Sequence, residues 1–135
     1  GGAGGMGGAG GMGGAGGAGG GGNFTPVNGC DPATATDLTA VSMTTVMFAS
    51  LSYNEPCIRV KVGTDVTFSG SFANHPFVGG EYTGGMKIPA ASGPFAGVTN
   101  SGNTKTFTMS ATGTYPYYCD FHASSGMIGA VYVEP

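Results

Sequence analysis

One cysteine, one histidine and one methionine share nine residues near the C-terminus, in the stretch TYPYYCDFHASSGM (Thr114 to Met127). Their spacing is Cys119-x2-His122-x4-Met127, in a chain of 135 residues with three cysteines and two histidines in all. A thiolate, an imidazole and a thioether are soft or borderline donors, a mixture that suits copper far better than calcium or magnesium. The other histidine, His75, stands in FSGSFANHPF. It would complete a two-histidine, one-cysteine trigonal set with Met127 as a weak axial thioether, the donor set of electron-transfer copper. Four protein ligands leave no open position for a substrate, unlike catalytic metal centres, so the chemistry predicted is electron passage rather than catalysis. The bland alternatives are a loop histidine at His75, a surface histidine at His122, an inert thiol at Cys119 and a core methionine at Met127.

The elements that must position these residues read as strands. Apolar residues alternate with polar ones in CIRVKV, where Ile58, Val60 and Val62 share one face, and in GTDVTFS, where Val66 and Phe68 do. KTFTMS repeats the pattern with Phe107 and Met109, and GAVYVE with Val131 and Val133. TTVMFA (44–49) and ATDLTA (35–40) are weaker candidates. Thr, Val, Tyr and Phe dominate the runs, Gly, Asn, Ser and Pro separate them, and no run of ten residues has helical period. Several short strands with turns between them predict an all-β antiparallel sandwich or barrel. Residues 77–103 read as a long irregular crossover with one or two short strands. Met43, Met47, Met86 and Met109 read as packing residues.

Residues 1–22 contain only Gly, Ala and Met. Such a tract has almost nothing to bury against its ordering entropy, so it predicts a disordered, Gly-rich linker with a root-mean-square span of roughly 25 Å. Residues 23–135 remain for one modest core. Net charge is −3 and the only basic residues are Arg59, Lys61, Lys87 and Lys105, so no cationic stripe exists for nucleic acid. With Cys119 in the metal cluster, Cys30 and Cys57 are the pair open to a disulfide, which would staple the N-terminal segment and imply an oxidising compartment. Two reduced, buried cysteines are the alternative.

GTYPYYCDFHASSGMIGAVYV resembles the C-terminal signature of the cupredoxins, and within that family it is most similar to the plastocyanins. The resemblance extends upstream through CIRVKVGTDVTFSG to NHP and leaves residues 1–22 uncovered. It implies a Greek-key β-sandwich holding one type 1 (blue) copper through His75, Cys119, His122 and Met127. Two departures from the family pattern concern the residues around those ligands. After His75, flanked on its other side by Asn74, stands Pro76, where plastocyanins usually carry Asn; proline has no N–H to give the thiolate. Before His122 stands Phe121, a position where plastocyanins often have proline, so an N–H is gained there. One thiolate hydrogen bond is expected to replace the other.

The function this implies is a small electron carrier passing single electrons through the edge of His122. An apolar docking patch would be supplied by Pro76, Phe77, Phe121, Ala123 and Gly126. A copper chaperone or store is the alternative, and would need exposed ligands. A multicopper oxidase is excluded by having two histidines in all, and a dinuclear centre by having one cysteine in the loop. Redox proteins are the expected partners, with no nucleic acid. The acidic residues are scattered, so no photosynthetic partner is carried over. The expected location is periplasmic or cell-surface, with the glycine tract as a tether to a membrane anchor or another domain, and a monomer as the expected state.

Overall fold

Period-two patterning becomes strand wherever an apolar face can reach the middle of the molecule. The computed structural model describes residues 24–135; the tract 1–22 and Asn23, with the linker expected there, lie outside the described residues. Eleven strands follow in chain order. They are β1 (Thr36–Asp37), β2 (Met43–Ala49), β3 (Ser52–Tyr53), β4 (Cys57–Lys61), β5 (Asp65–Ser69) and β6 (Phe77–Thr83). The second half holds β7 (Met86–Pro89), β8 (Val98–Thr99), β9 (Thr104–Thr108), β10 (Gly113–Cys119) and β11 (Ile128–Glu134). A single 3₁₀ turn, Ala123–Ser125, is the one helical piece among the described residues.

Two sheets face each other, in the orders β1-β4-β11-β10-β6-β7 (with β8 also on β6) and β3-β2-β5-β9. The fold is the all-β Greek-key-like sandwich expected, with one correction. The β1/β4, β4/β11 and β2/β5 pairs are parallel, so the sandwich is mixed rather than antiparallel. Consecutive strands such as β4 and β5 lie in different sheets, and a chain that crosses between layers can return in the same direction.

Aromatic rings fill the interior. Phe68 and Phe77 lie 4.6 Å apart between ring centroids, and Tyr117 lies 4.9 Å from Phe68. Phe95 and Phe107 close the same cluster, 4.9 Å apart. Burial of such rings is the main driving force for holding the two layers together. Ile58, Val60, Val66, Phe68, Met109, Val131 and Val133 face inward as their alternation predicts. Val62 does not. β4 stops at Lys61, and Val62 stands exposed where the chain turns into Gly63 at φ 93°. Met43, Met47 and Met86 are also exposed, contrary to the packing role read from sequence. In β2 the inward phase belongs to Val46 and Phe48, which turns Met43 and Met47 outward.

ATDLTA yields strand only at Thr36–Asp37, because the Asp37 carboxylate accepts from the Thr39 N–H and hydroxyl and turns the chain. Residues 77–103, read as irregular, contain three strands. Gly79 and Gly80 hid β6 from a propensity reading, yet a Cβ at Gly79 would collide with the Phe95 backbone, so glycine is what lets Phe95 cover the strand.

β11 is buried on both faces. Val131 and Val133 join the main core, while Ala130 and Tyr132 pack under the N-terminal segment with Phe24, Val27, Cys30 and Ala35. A disulfide joins Cys30 to Cys57 at the start of β4, as the cysteine count suggested. Asn28 does comparable work without a covalent bond. Its amide donates to the carbonyls of Gly80, Tyr117 and Gly129 at 2.9–3.1 Å, and its oxygen accepts from the Tyr82 N–H at 2.8 Å. One buried side chain thereby ties β6, β10 and β11 together.

Candidate metal centre

Two loops at one end of the sandwich meet over the sulfur of Cys119. The first follows β5. Its Gly70 and Phe72 N–H groups donate to Asn103 and Gly102 carbonyls, and the buried Phe72 ring anchors it. The His75 N–H donates to the Ser71 carbonyl at 2.9 Å, and the Phe48 ring stands edge-on to the imidazole at 5.9 Å. Together these contacts leave His75 little freedom to swing away.

The second loop runs from Cys119, the last residue of β10, to Met127. Its backbone folds on itself: Cys119 N–H donates to Met127 O at 3.0 Å, and Met127 N–H to His122 O at 3.2 Å. Gly126 closes the 3₁₀ turn in the left-handed region at φ 94°, a conformation that favours glycine. The two loops are joined where the Asp120 N–H donates to the Pro76 carbonyl at 2.9 Å.

His75, Cys119 and His122 converge. The two Nδ1 atoms lie 3.1 Å apart, and Cys119 Sγ lies 3.8 Å from His75 Nδ1 and 3.6 Å from His122 Nδ1. A triangle with those sides has its centre about 2.0 Å from every corner, which is metal–imidazole bonding distance and slightly short of metal–thiolate distance. Donor type and spacing therefore both fit a copper ion that two imidazole nitrogens and one thiolate would hold. Met127 is fully buried in the same cluster as Cys119. The thiolate and thioether positions are shut away from water, while both imidazoles are half-buried and keep an edge toward solvent.

Burial governs the protons here. It pushes the Cys119 thiol up, while the Phe121 and His122 N–H groups directed at the sulfur pull the other way. The His75 imidazole is pushed down, first by burial and then by the neighbouring His122. Without metal the centre therefore holds a neutral thiol and a neutral His75 near pH 7. Tyr53, whose buried hydroxyl has no partner among the described residues, is pushed up by burial and by Cys119.

The surrounding residues divide. Pro76 is buried and accepts the Asp120 N–H at its carbonyl, and the Phe121 backbone acts to lower the pKa of the Cys119 thiol. Asn74 is exposed, with its backbone N–H 3.4 Å from Ser71 Oγ. The expectation that Phe77 and Ala123 help form an exposed docking face does not hold. Phe77 is 1% exposed and stacked on Tyr117, and Ala123 is 2% exposed beneath Val78 and Tyr118. Phe121, at 61%, and Gly126 do reach the surface.

Three residues tied to the centre gave no signal in the sequence. Asn28 lies in a turn at φ 50°, Tyr53 on a two-residue strand, and Lys87 on an edge hairpin. Each acts across a large sequence separation, so local spacing could not reveal it.

The family described as copper binding proteins, plastocyanin/azurin family, matches residues 40–134. Among solved structures, the reduced state of an amicyanin variant carrying phenylalanine in place of a proline is similar at 28% identity, over 67% of this chain and 80% of that one, with a TM-score of 0.45. A reduced amicyanin variant with tyrosine in place of a tryptophan is similar at 26% identity, over 72% and 87%, with a TM-score of 0.46. An oxidised amicyanin with alanine in place of a proline is similar at 26% identity, over 69% and 83%, with a TM-score of 0.48. No curated protein matches the chain.

Proposed function

The chain belongs to the plastocyanin/azurin family of copper-binding proteins, and from that premise we propose that it is a single-electron carrier rather than an enzyme. The observation that carries the reading is the triangle of His75, Cys119 and His122 with sides of 3.1, 3.6 and 3.8 Å. Copper bound there supplies a one-electron couple between Cu(II) and Cu(I). His75, Cys119 and His122 would hold that copper through two imidazoles and a thiolate, and Met127, buried in the same cluster as Cys119, would offer its thioether as a fourth donor.

The chain's own part is to hold the ligands still. Loop-to-loop hydrogen bonds and the packed Phe72 and Phe48 rings hold the donor positions in place. Buried Cys119 and Met127 keep water off the sulfur side, and the partly exposed imidazole of His122 offers the short way out for an electron. With Phe121 exposed beside it, that edge suits brief docking to redox proteins through a small interface. We further propose a plastocyanin-like member of that family, on the Tyr-x-Tyr-Tyr-Cys strand and the x2 and x4 loop spacings. The Cys30–Cys57 bridge favours an oxidising compartment, periplasmic or cell-surface. We further assign residues 1–22 as a tether and 23–135 as one monomeric copper domain.

Adding Cu(II) to the metal-free protein and recording visible absorption before and after a reductant tests this. An intense blue band that bleaches and returns supports the carrier. A colourless copper adduct overturns it, and a blue adduct that surrenders copper rapidly to a mild chelator favours the chaperone.

A further inference from the structure

The hairpin of β6 and β7 curls over the metal end of the outer sheet face. Its Tyr82 ring packs on a cluster of Val78, Tyr118, Ala123 and Ile128, and Lys87 stands opposite Tyr82 in the register. From there Lys87 Nζ donates to the Asp120 carbonyl at 2.7 Å and to Asp120 Oδ1 at 2.9 Å. Asp120 is the residue directly after Cys119, and it is the only charged residue between Cys119 and Met127. With its own N–H on the Pro76 carbonyl, Asp120 is held through its backbone by the His75 loop on one side and the hairpin on the other.

Two consequences follow from that arrangement. A carbonyl and a carboxylate bound to one ammonium fix the direction in which the ligand loop leaves β10. An unpaired carboxylate one residue from the thiolate would also favour Cu(II), the more positive state, over Cu(I); the Lys87 charge offsets it. Resting on the copper reading above, we propose that Lys87 is a positioning residue, clamping the first residue of the ligand loop and cancelling its charge so that the reduction potential stays up. Arg59, by contrast, is committed elsewhere, to Asp37 and Glu134.

The pair is partly exposed, with side chains 45% and 43% accessible, so the electrostatic effect is that of a screened surface pair. Lys87→Gln at low ionic strength should shift the redox equilibrium toward Cu(II) by roughly threefold, about 28 mV at 59 mV per tenfold for one electron. Asp120→Asn should shift it the other way, Lys87→Gln with Asp120→Asn should return close to the parent, and Lys87→Arg should keep most of the parent value. Amide hydrogen exchange on the metal-free protein supplies the second readout, with faster exchange at Asp120 and Phe121 in Lys87→Gln and no change in the global melt. A Lys87→Gln protein with parental potential, or with parental exchange at those amides, overturns the proposal. If the parent takes up copper without a blue band, the carrier reading fails, and the exchange comparison alone decides whether the clamp exists.

Discussion

Removing the Cys30–Cys57 bridge as the Cys30→Ser, Cys57→Ser double variant should destabilise the domain without dismantling the metal centre. The bridge spans 27 positions, and closing a loop of about that length in the unfolded chain is worth about 3.6 kcal/mol in the entropy model. For a domain of this size about 1 kcal/mol moves Tm by about 4 °C, so the fall should be about 15 °C. The segment it fastens packs on Ala130 and Tyr132, on the face of β11 opposite the core. That core carries Cys119 and Met127. The copper spectrum of the variant at 25 °C should therefore match the parent, because a stability of about 5–15 kcal/mol, usual for a domain, survives the loss. Thermal melts of both proteins, followed by circular dichroism with and without copper, check both halves. A drop of under about 5 °C would refute the loop-closure reasoning. An altered blue band in the folded variant would refute the claim that the N-terminal cover and the metal centre are energetically separate.

Other outcomes follow from named contacts. Asn28→Ala strands three carbonyls and one N–H that now share a single amide, and should cost about 3 kcal/mol in a urea melt; Asn28→Gly, which tolerates φ 50°, isolates the side-chain share. Phe121→Pro removes an N–H directed at the Cys119 sulfur and should lower the reduction potential measured by redox titration. Since burial keeps the Cys119 thiol protonated, copper uptake at pH 7 should release about one proton, read by calorimetry in buffers of different ionisation enthalpy. The folded His75 binds its proton less readily than the unfolded one, so its contribution to metal-free stability is complete above about pH 6.5 and is lost as pH falls below it. Melts of the metal-free protein at pH 7.5 and 5.5 should show the lower Tm in acid.

The candidate donors were legible in the chain because the chemistry is local. Cys119, His122 and Met127 lie in one short loop whose spacing fixes their relation, and His75 was the single histidine left to join them. The strands around them were equally legible at Ile58, Val60, Val66 and Phe68, where alternation follows from a sheet with one buried face. Legibility failed where a residue's role depends on what lies above it. Gly79 and Gly80 read as loop until Phe95 is seen covering the strand they belong to. Phe77 and Ala123 looked like surface beside the ligands, and only the packing of Tyr117 on one and Tyr118 on the other makes them interior. The parallel pairs, the Asn28 tie and the Lys87 contact join residues dozens of positions apart, and no local pattern encodes which distant carbonyl a side chain will meet. Sequence named the candidate donors; the closing of one loop against another decided that the His75 and His122 nitrogens and the Cys119 sulfur stand about 2.0 Å from a common point.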